Sequence, residues 1–146
     1  PSIATIHLPP RDAGAAILSL DCPQPPSSWH WGGPGWETRC RADLAHGIVG
    51  AALQSADPQA TAARWGQILD SPPLLQTDGV PQVALAPNSV LRFIQDRDGR
   101  GDGLAEIDIA TSAPQQVMAN AQALGLTADA ETQTIQLGGV CFRLVP

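Results

Sequence analysis

One arrangement of residues occurs twice in this chain, and it constrains the fold more than any other feature. An apolar, strand-like run from Ile48 to Gln54 leads to Asp57-Pro58, an N-cap with proline at the first helical position. Helical spacing puts Thr61, Trp65, Ile68 and Leu69 on one face, and Ser71-Pro72-Pro73 stops the helix. The runs Gln82 to Ala86 and Val90 to Gln95 then read as a hairpin about Pro87-Asn88-Ser89. The same order follows. Leu104 to Ala110 is a strand, and Ser112-Ala113-Pro114 opens a helix with Val117, Ala121 and Leu124 on one face. Gly125 lets the chain leave that helix, and Thr132 to Leu137 with Val140 to Val145 form a closing hairpin about Gly138-Gly139. A repeat of roughly 50 to 56 residues is too long for most solenoid units, and two copies are too few for a stack. The expected fold class is α+β: paired βαββ(β) modules forming one curved, mostly antiparallel sheet with the helices outside.

Ahead of the repeats, residues 3 to 8 and 15 to 20 are two β-prone runs joined by Pro9-Pro10-Arg11-Asp12-Ala13-Gly14, the turn chemistry of a hairpin. Residues 22 to 41, CPQPPSSWHWGGPGWETRCR, are dense in Pro, Gly and Trp without a period. They read as a long connector, with Trp29, Trp31 and Trp36 anchoring it to the sheet. The expected organisation is a hairpin over 1–21, a connector over 22–43, and a two-repeat domain over 44–146 divided into 44–98 and 104–146. The chain opens on Pro1 with a strand-like run at once, so it is read as starting inside a larger gene product.

Charge and cysteine usage exclude several function classes. The net charge is −6 and no cluster of basic residues occurs, which argues against nucleic acid and anionic membrane partners. No apolar run is long enough to span a bilayer. Cys22, Cys40 and Cys141 are odd in number and lack metal-ligand spacing. They read as free thiols of a reducing, cytoplasmic setting, with a Cys22–Cys40 bridge as the alternative. Nucleophile-elbow, phosphate-loop, C-x-x-C, H-E-x-x-H and dinucleotide signatures are all missing.

GAALQSADPQATAARWGQIL, followed by VLRFIQDRDGRGDGLAEIDIAT and closed by IQLGGVCFRLV, resembles the vicinal oxygen chelate superfamily. More narrowly it resembles the glyoxalase-like domains, the group of glyoxalases, bleomycin-resistance proteins and extradiol dioxygenases. The similarity covers about residues 44 to 146. TIHLPPRDAGAAILSLD looks like the final strands of a preceding module, and a further βαβ portion would be expected upstream. The resemblance implies a cup-shaped sheet that often holds a divalent metal, with first-strand His or Glu and last-strand Glu as ligands. As a Lewis acid the metal would serve a lyase, isomerase or dioxygenase. In this chain the first-strand His position falls near Val49 or Gly50, and the last-strand Glu positions fall near Leu18 or Ser19 and near Arg143. Glu106 falls in place as ligand or general base, with His7 and His46 as further candidate ligands. The alternatives are a metal-free protein that sequesters a small planar compound, and a structural half of a larger protein. The partners expected are a small-molecule ligand and, through exposed module edges, a second copy in a homodimer.

The residues themselves leave several roles open. Alternation puts Glu106 and Asp108 on one strand face, opposite Ala105, Ile107 and Ile109. That face either lines the cup or meets solvent, and solvent is the commoner outcome for such a pattern. Arg92 and Arg143 occupy similar positions in the two hairpins and could each hold a ligand carboxylate bidentately, or lie on a solvated face. Trp29 and Trp31 could stack on a planar ligand or simply clamp the connector. DRDGRGDG, residues 96 to 103, has Arg100 and Ile107 where a calcium loop starting at Asp96 needs an oxygen ligand and Glu. It reads as a glycine-rich connector between strands.

Overall fold

Each repeat builds half of one sheet, and the halves meet along their first strands. The computed structural model describes residues 2–86 and 88–146. In chain order it contains β1 (Ser2–Leu8), α1 (Pro10–Ala13), β2 (Leu18–Gln24), β3 (Ala45–Ser55), α2 (Pro58–Ile68), β4 (Leu74–Leu75), β5 (Pro81–Ala86) and β6 (Ser89–Gln95). The second repeat contributes β7 (Gly103–Thr111), α3 (Pro114–Ala123), β8 (Thr127–Asp129), β9 (Thr134–Leu137) and β10 (Val140–Val145). The eight-stranded sheet has the order β4-β5-β6-β3-β7-β10-β9-β8, while β1 and β2 form a separate antiparallel ribbon. In the large sheet β3–β6 and β7–β10 pair parallel, and the remaining described pairs are antiparallel. This is the expected α+β class, with an extra short edge strand in each half.

The central ladder is paired symmetrically about its middle. Asp57-Pro58 and Ala113-Pro114 lie 56 residues apart. At the centre of the β3–β7 ladder Ala51 faces Ile107, which is the same separation. Gly50 faces Asp108 and Ala52 faces Glu106, so a two-fold axis through the Ala51–Ile107 pair exchanges the repeats. Across the next ladders, Ala52 pairs with Arg92 and Asp108 pairs with Arg143, which makes the two arginines equivalents.

The helices cover one face of the sheet. Asp57 caps α2, its Oδ1 accepting from the Ala60 N–H at 3.0 Å. Trp65 is buried, meets Phe93 edge-on at 6.1 Å between centroids, and donates from Nε1 to the Gly14 carbonyl at 3.0 Å. Through that bond and the buried Ala13 and Ala15, the β1–α1–β2 segment joins the core made by Leu53, Ala62, Val83, Leu91 and Phe93. A second core joins Met118 and Ala121 of α3 to Ile135 and Leu144. Leu124, expected on the buried stripe of α3, is 79% exposed. It stands at the helix end beyond the sheet, and Leu126 packs in its place after the chain turns at Gly125, where φ is +75°.

Other expectations are corrected in detail. β2 starts at Leu18, later than the expected run, and extends into the expected connector, while a single helical turn fills the hairpin bend. Trp29, Trp31 and Trp36, expected to anchor the connector to the sheet, are not among the residues of the two cores. Trp29 and Trp31 pack on each other at 4.7 Å, each 53% exposed, and Gly32 lies against Trp36 and Trp29. Pro87 of the expected Pro87-Asn88-Ser89 turn lies outside the described residues. The three cysteines are free. No helix of the described residues is long and apolar enough to cross a membrane.

DRDGRGDG is a self-capped link between β6 and β7. Asp96 accepts backbone N–H groups from Asp98, Gly99 and Gly101. Asp98 accepts from the buried Gln54 side chain at 2.7 Å and from the Arg100 backbone and guanidinium. Asp102 accepts from the Ala56 N–H. The aspartates thus cap the loop's own backbone, as Asx-type turns do, and tie it to the end of β3 through Gln54 and Ala56. The Gln54 hydrogen bond, then the Arg100 N–H, hold the Asp98 carboxyl down from the usual 3.8 to about 2. A depressed carboxyl pKa contributes stability above its unfolded value and loses it as pH falls through the folded one. An Asp98→Ala variant should therefore melt below the native chain at pH 7, with the gap narrowing between pH 4 and pH 2. Thermal melts across that range, followed by circular dichroism, check this.

Candidate functional site

On the face away from the helices, charged side chains of both repeats gather over the central strands. Alternation explains the placement: Ile109, Phe142 and Leu144 turn toward α3, so Asp108, Glu106 and Arg143 turn the other way. Asp108 is only 3% exposed. Arg143 grips it with a two-pronged bond, Nε to Oδ1 at 2.9 Å and Nη2 to Oδ2 at 2.9 Å. Arg92 donates from Nη2 to Asp108 Oδ1 at 2.8 Å, and the same nitrogen lies 3.1 Å from Glu106 Oε2. The solvated reading of the Glu106–Asp108 face is thus overturned for Asp108. Its two guanidinium partners offset the cost of taking a carboxylate out of water.

Small residues on β3 make this possible. Arg92 stands on β6, two strands and about 10 Å from β7, and must cross β3 to reach Asp108. The β3 residues between them are Gly50 and Ala52. A Cβ on Gly50 would collide with the Asp108 carboxylate and crowd the Val90 carbonyl. The Arg92 Nε–H is buried without a hydrogen-bond partner among the described residues. The hydrogen bond from Arg143 to Asp108 raises the guanidinium's pKa further and keeps it charged. Burial, then the nearby Glu106 charge, push the Cys141 thiol above its ordinary range.

A cleft of about 390 Å³ opens over this cluster. Arg92, Arg97, Arg143, Glu106 and Asp78 line it with Val80, Ile94, Thr132 and Thr134. Arg92, Glu106 and Arg143 were singled out from the sequence; Arg97, Asp78 and the threonines were not. In the sequence Arg97 belongs to the DRDGRGDG loop. Its signal was its place just past β6, which carries it to the end of the strand that also bears Arg92 and Ile94.

The other candidates lie elsewhere. His7 is on β1 of the separate ribbon, opposite Ser19. His46 sits at a bulge where β3 meets Thr111, and its Nε2 accepts the Ser112 N–H at 3.2 Å and lies 3.0 Å from Ser112 Oγ. It serves the start of α3, whose N-cap Ala113 has no side-chain oxygen. From Ser112 to Glu106 is about 20 Å along the strand. His7, His46 and Glu106 are therefore not brought together, and no group of three His, Cys, Asp or Glu side chains able to hold a metal occurs among the described residues. The residues present also fit a divalent cation poorly. Glu106 and Asp108 are already paired to arginines, whose charge opposes a second cation. Trp29 lines a different hollow, of about 320 Å³, within the connector itself; Trp31 packs against it at a tilt of 56°.

The comparisons with known proteins bear on the architecture. No family model and no curated protein matches the sequence. Among solved structures, a triple mutant of 4-hydroxymandelate synthase from Streptomyces coelicolor superposes with a TM-score of 0.58 at 19% identity. That match covers 70% of this chain and 37% of the synthase. The chain has the vicinal oxygen chelate fold. Methylmalonyl-CoA epimerase from Mycobacterium tuberculosis is also similar, at 16% identity and a TM-score of 0.49, over 73% of this chain and 91% of that one. In the vicinal oxygen chelate fold as this chain builds it, the open face carries an arginine–carboxylate cluster.

Removing the shared carboxylate should be severe. Asp108→Ala leaves Arg92, whose side chain is 12% exposed, without its main partner. Unpairing a buried charge costs about 3–5 kcal/mol. Gly50→Ala should cost about 1–3 kcal/mol by overpacking against the same carboxylate. Urea unfolding of both variants checks the two values; losses below about 1 kcal/mol in Asp108→Ala would contradict this reading of the cluster.

Proposed function

We propose that the chain binds a small molecule in the cleft over β3, β6, β7 and β10, through its own side chains rather than through a metal. The observation that supports this is the convergence of three arginines, two carboxylates and two threonines on one cleft at the junction of the repeats. Few, convergent polar groups beside apolar ones are the composition of small-molecule sites, and the volume is in their range. Glu106, with one oxygen on Arg92, has its other oxygen to accept from a ligand donor. This is the metal-free, sequestering alternative drawn from the sequence.

A thermal-shift screen of small polar and planar compounds tests the reading, since a ligand that binds only the folded state raises its stability. Compounds that raise the melting temperature of the native chain should lose the effect in Val80→Trp, which fills the cleft from its rim. Elemental analysis of the purified protein should find no stoichiometric divalent metal. Stabilisation that survives Val80→Trp unchanged would place the binding elsewhere, with the Trp29 hollow as the next site to test.

A further inference from the structure

We infer that the ligand of this cleft is a small organic carboxylate, an inference that rests on the binding reading above and narrows it to a chemical class. The chain has eight basic residues, all of them arginine, within an acidic protein of net charge −6. Three of the eight line this one cleft. Two of them, Arg92 and Arg143, are committed in part to Asp108. Arg97 makes no hydrogen bond or ion pair among the described residues. Arg143 uses Nε and Nη2 on Asp108, which leaves Nη1 for another acceptor.

These donors match a planar anion. A guanidinium edge fits the two oxygens of a carboxylate, and charge-assisted bonds of this kind are about twice as strong as neutral ones. The same lining limits the anion's charge. Glu106 and Asp78 also face the cleft, and their repulsion disfavours a dianion such as phosphate. A cation would meet Arg97 and Arg143. Val80 and Ile94 supply the apolar wall against which the body of a short aliphatic or aromatic acid would pack. The Thr132 and Thr134 hydroxyls, 2.8 Å apart, can redirect toward a polar substituent.

The experiment is a titration of the full ¹⁵N-labelled chain at pH 7, followed by amide chemical shifts. The probes are benzoate and butyrate, their neutral counterparts benzamide and butyramide, and inorganic phosphate. The acids should shift the Val80, Ile94, Arg97 and Thr134 resonances and bind at least about tenfold tighter than the amides. Arg97→Ala removes an exposed, unpaired side chain, so the variant should keep its melting temperature and lose most of the acid-over-amide preference. Amides that bind as well as the acids would overturn the carboxylate assignment while leaving the binding reading intact, and so would phosphate binding tighter than both acids. Shifts at none of these residues with any probe would overturn both.

Discussion

A carboxylate taken out of water must be met by positive charge, and Asp108 is met by two guanidiniums, one from each repeat. That triad is the joint of the molecule. Arg143 reaches it from the adjacent strand, while Arg92 reaches it across β3. The crossing requires that β3 present nothing larger than Gly50 and Ala52 on this face. The β3–β7 ladder must also hold its register, because a one-residue slip would turn Asp108 toward the helices. One ionic contact thus ties together sheet register, the small residues of β3 and the equivalence of the two hairpins. A buried ion pair is a poor source of net stability but a strict condition on geometry. Here it selects the pairing of the two halves.

The same triad decides what the open face can do. The two-fold relation does not extend to the β7 carboxylates, because β3 has Gly50 and Ala52 at the positions equivalent to Glu106 and Asp108. The arginines come from both repeats. The result is a cleft whose β7 carboxylates are already answered by cations and whose outlying Arg97 has no ion pair among the described residues. Such a lining suits recognition of an anion by hydrogen bonds more than capture of a metal by paired carboxylates. Nothing in it assembles a histidine with Glu106.

Much of the architecture was legible in the residues, because periodicity and caps are local signals. Proline after a cap residue marked both helices, and alternation marked the long strands. Two edge strands, Leu74–Leu75 and Thr127–Asp129, escaped because two or three residues carry no period. The site was half legible. Arg92, Arg143, Glu106 and Asp108 could be named and put on strand faces, but which way that face turned depended on ion pairs between β6, β7 and β10. No local pattern encodes pairing across 16 or 35 residues. Arg97 lies in a loop whose aspartates and glycines carry the local signal, that of a turn. His46 reads like a ligand by type, yet a bulge aims it at the start of α3, a role that only the register shows.

The most direct measurement is a double-mutant cycle between Asp108 and Arg92, the ion pair that spans the two repeats, using Asp108→Asn and Arg92→Met with unfolding free energies from urea. Contacting residues of one ionic network couple by about 0.5–3 kcal/mol, and a charge-assisted bond between two buried side chains belongs in the upper half of that range. Coupling of about 1.5 kcal/mol or more is the expected result. Free energies that simply add, with coupling indistinguishable from zero, would contradict the view that this carboxylate joins the two repeats.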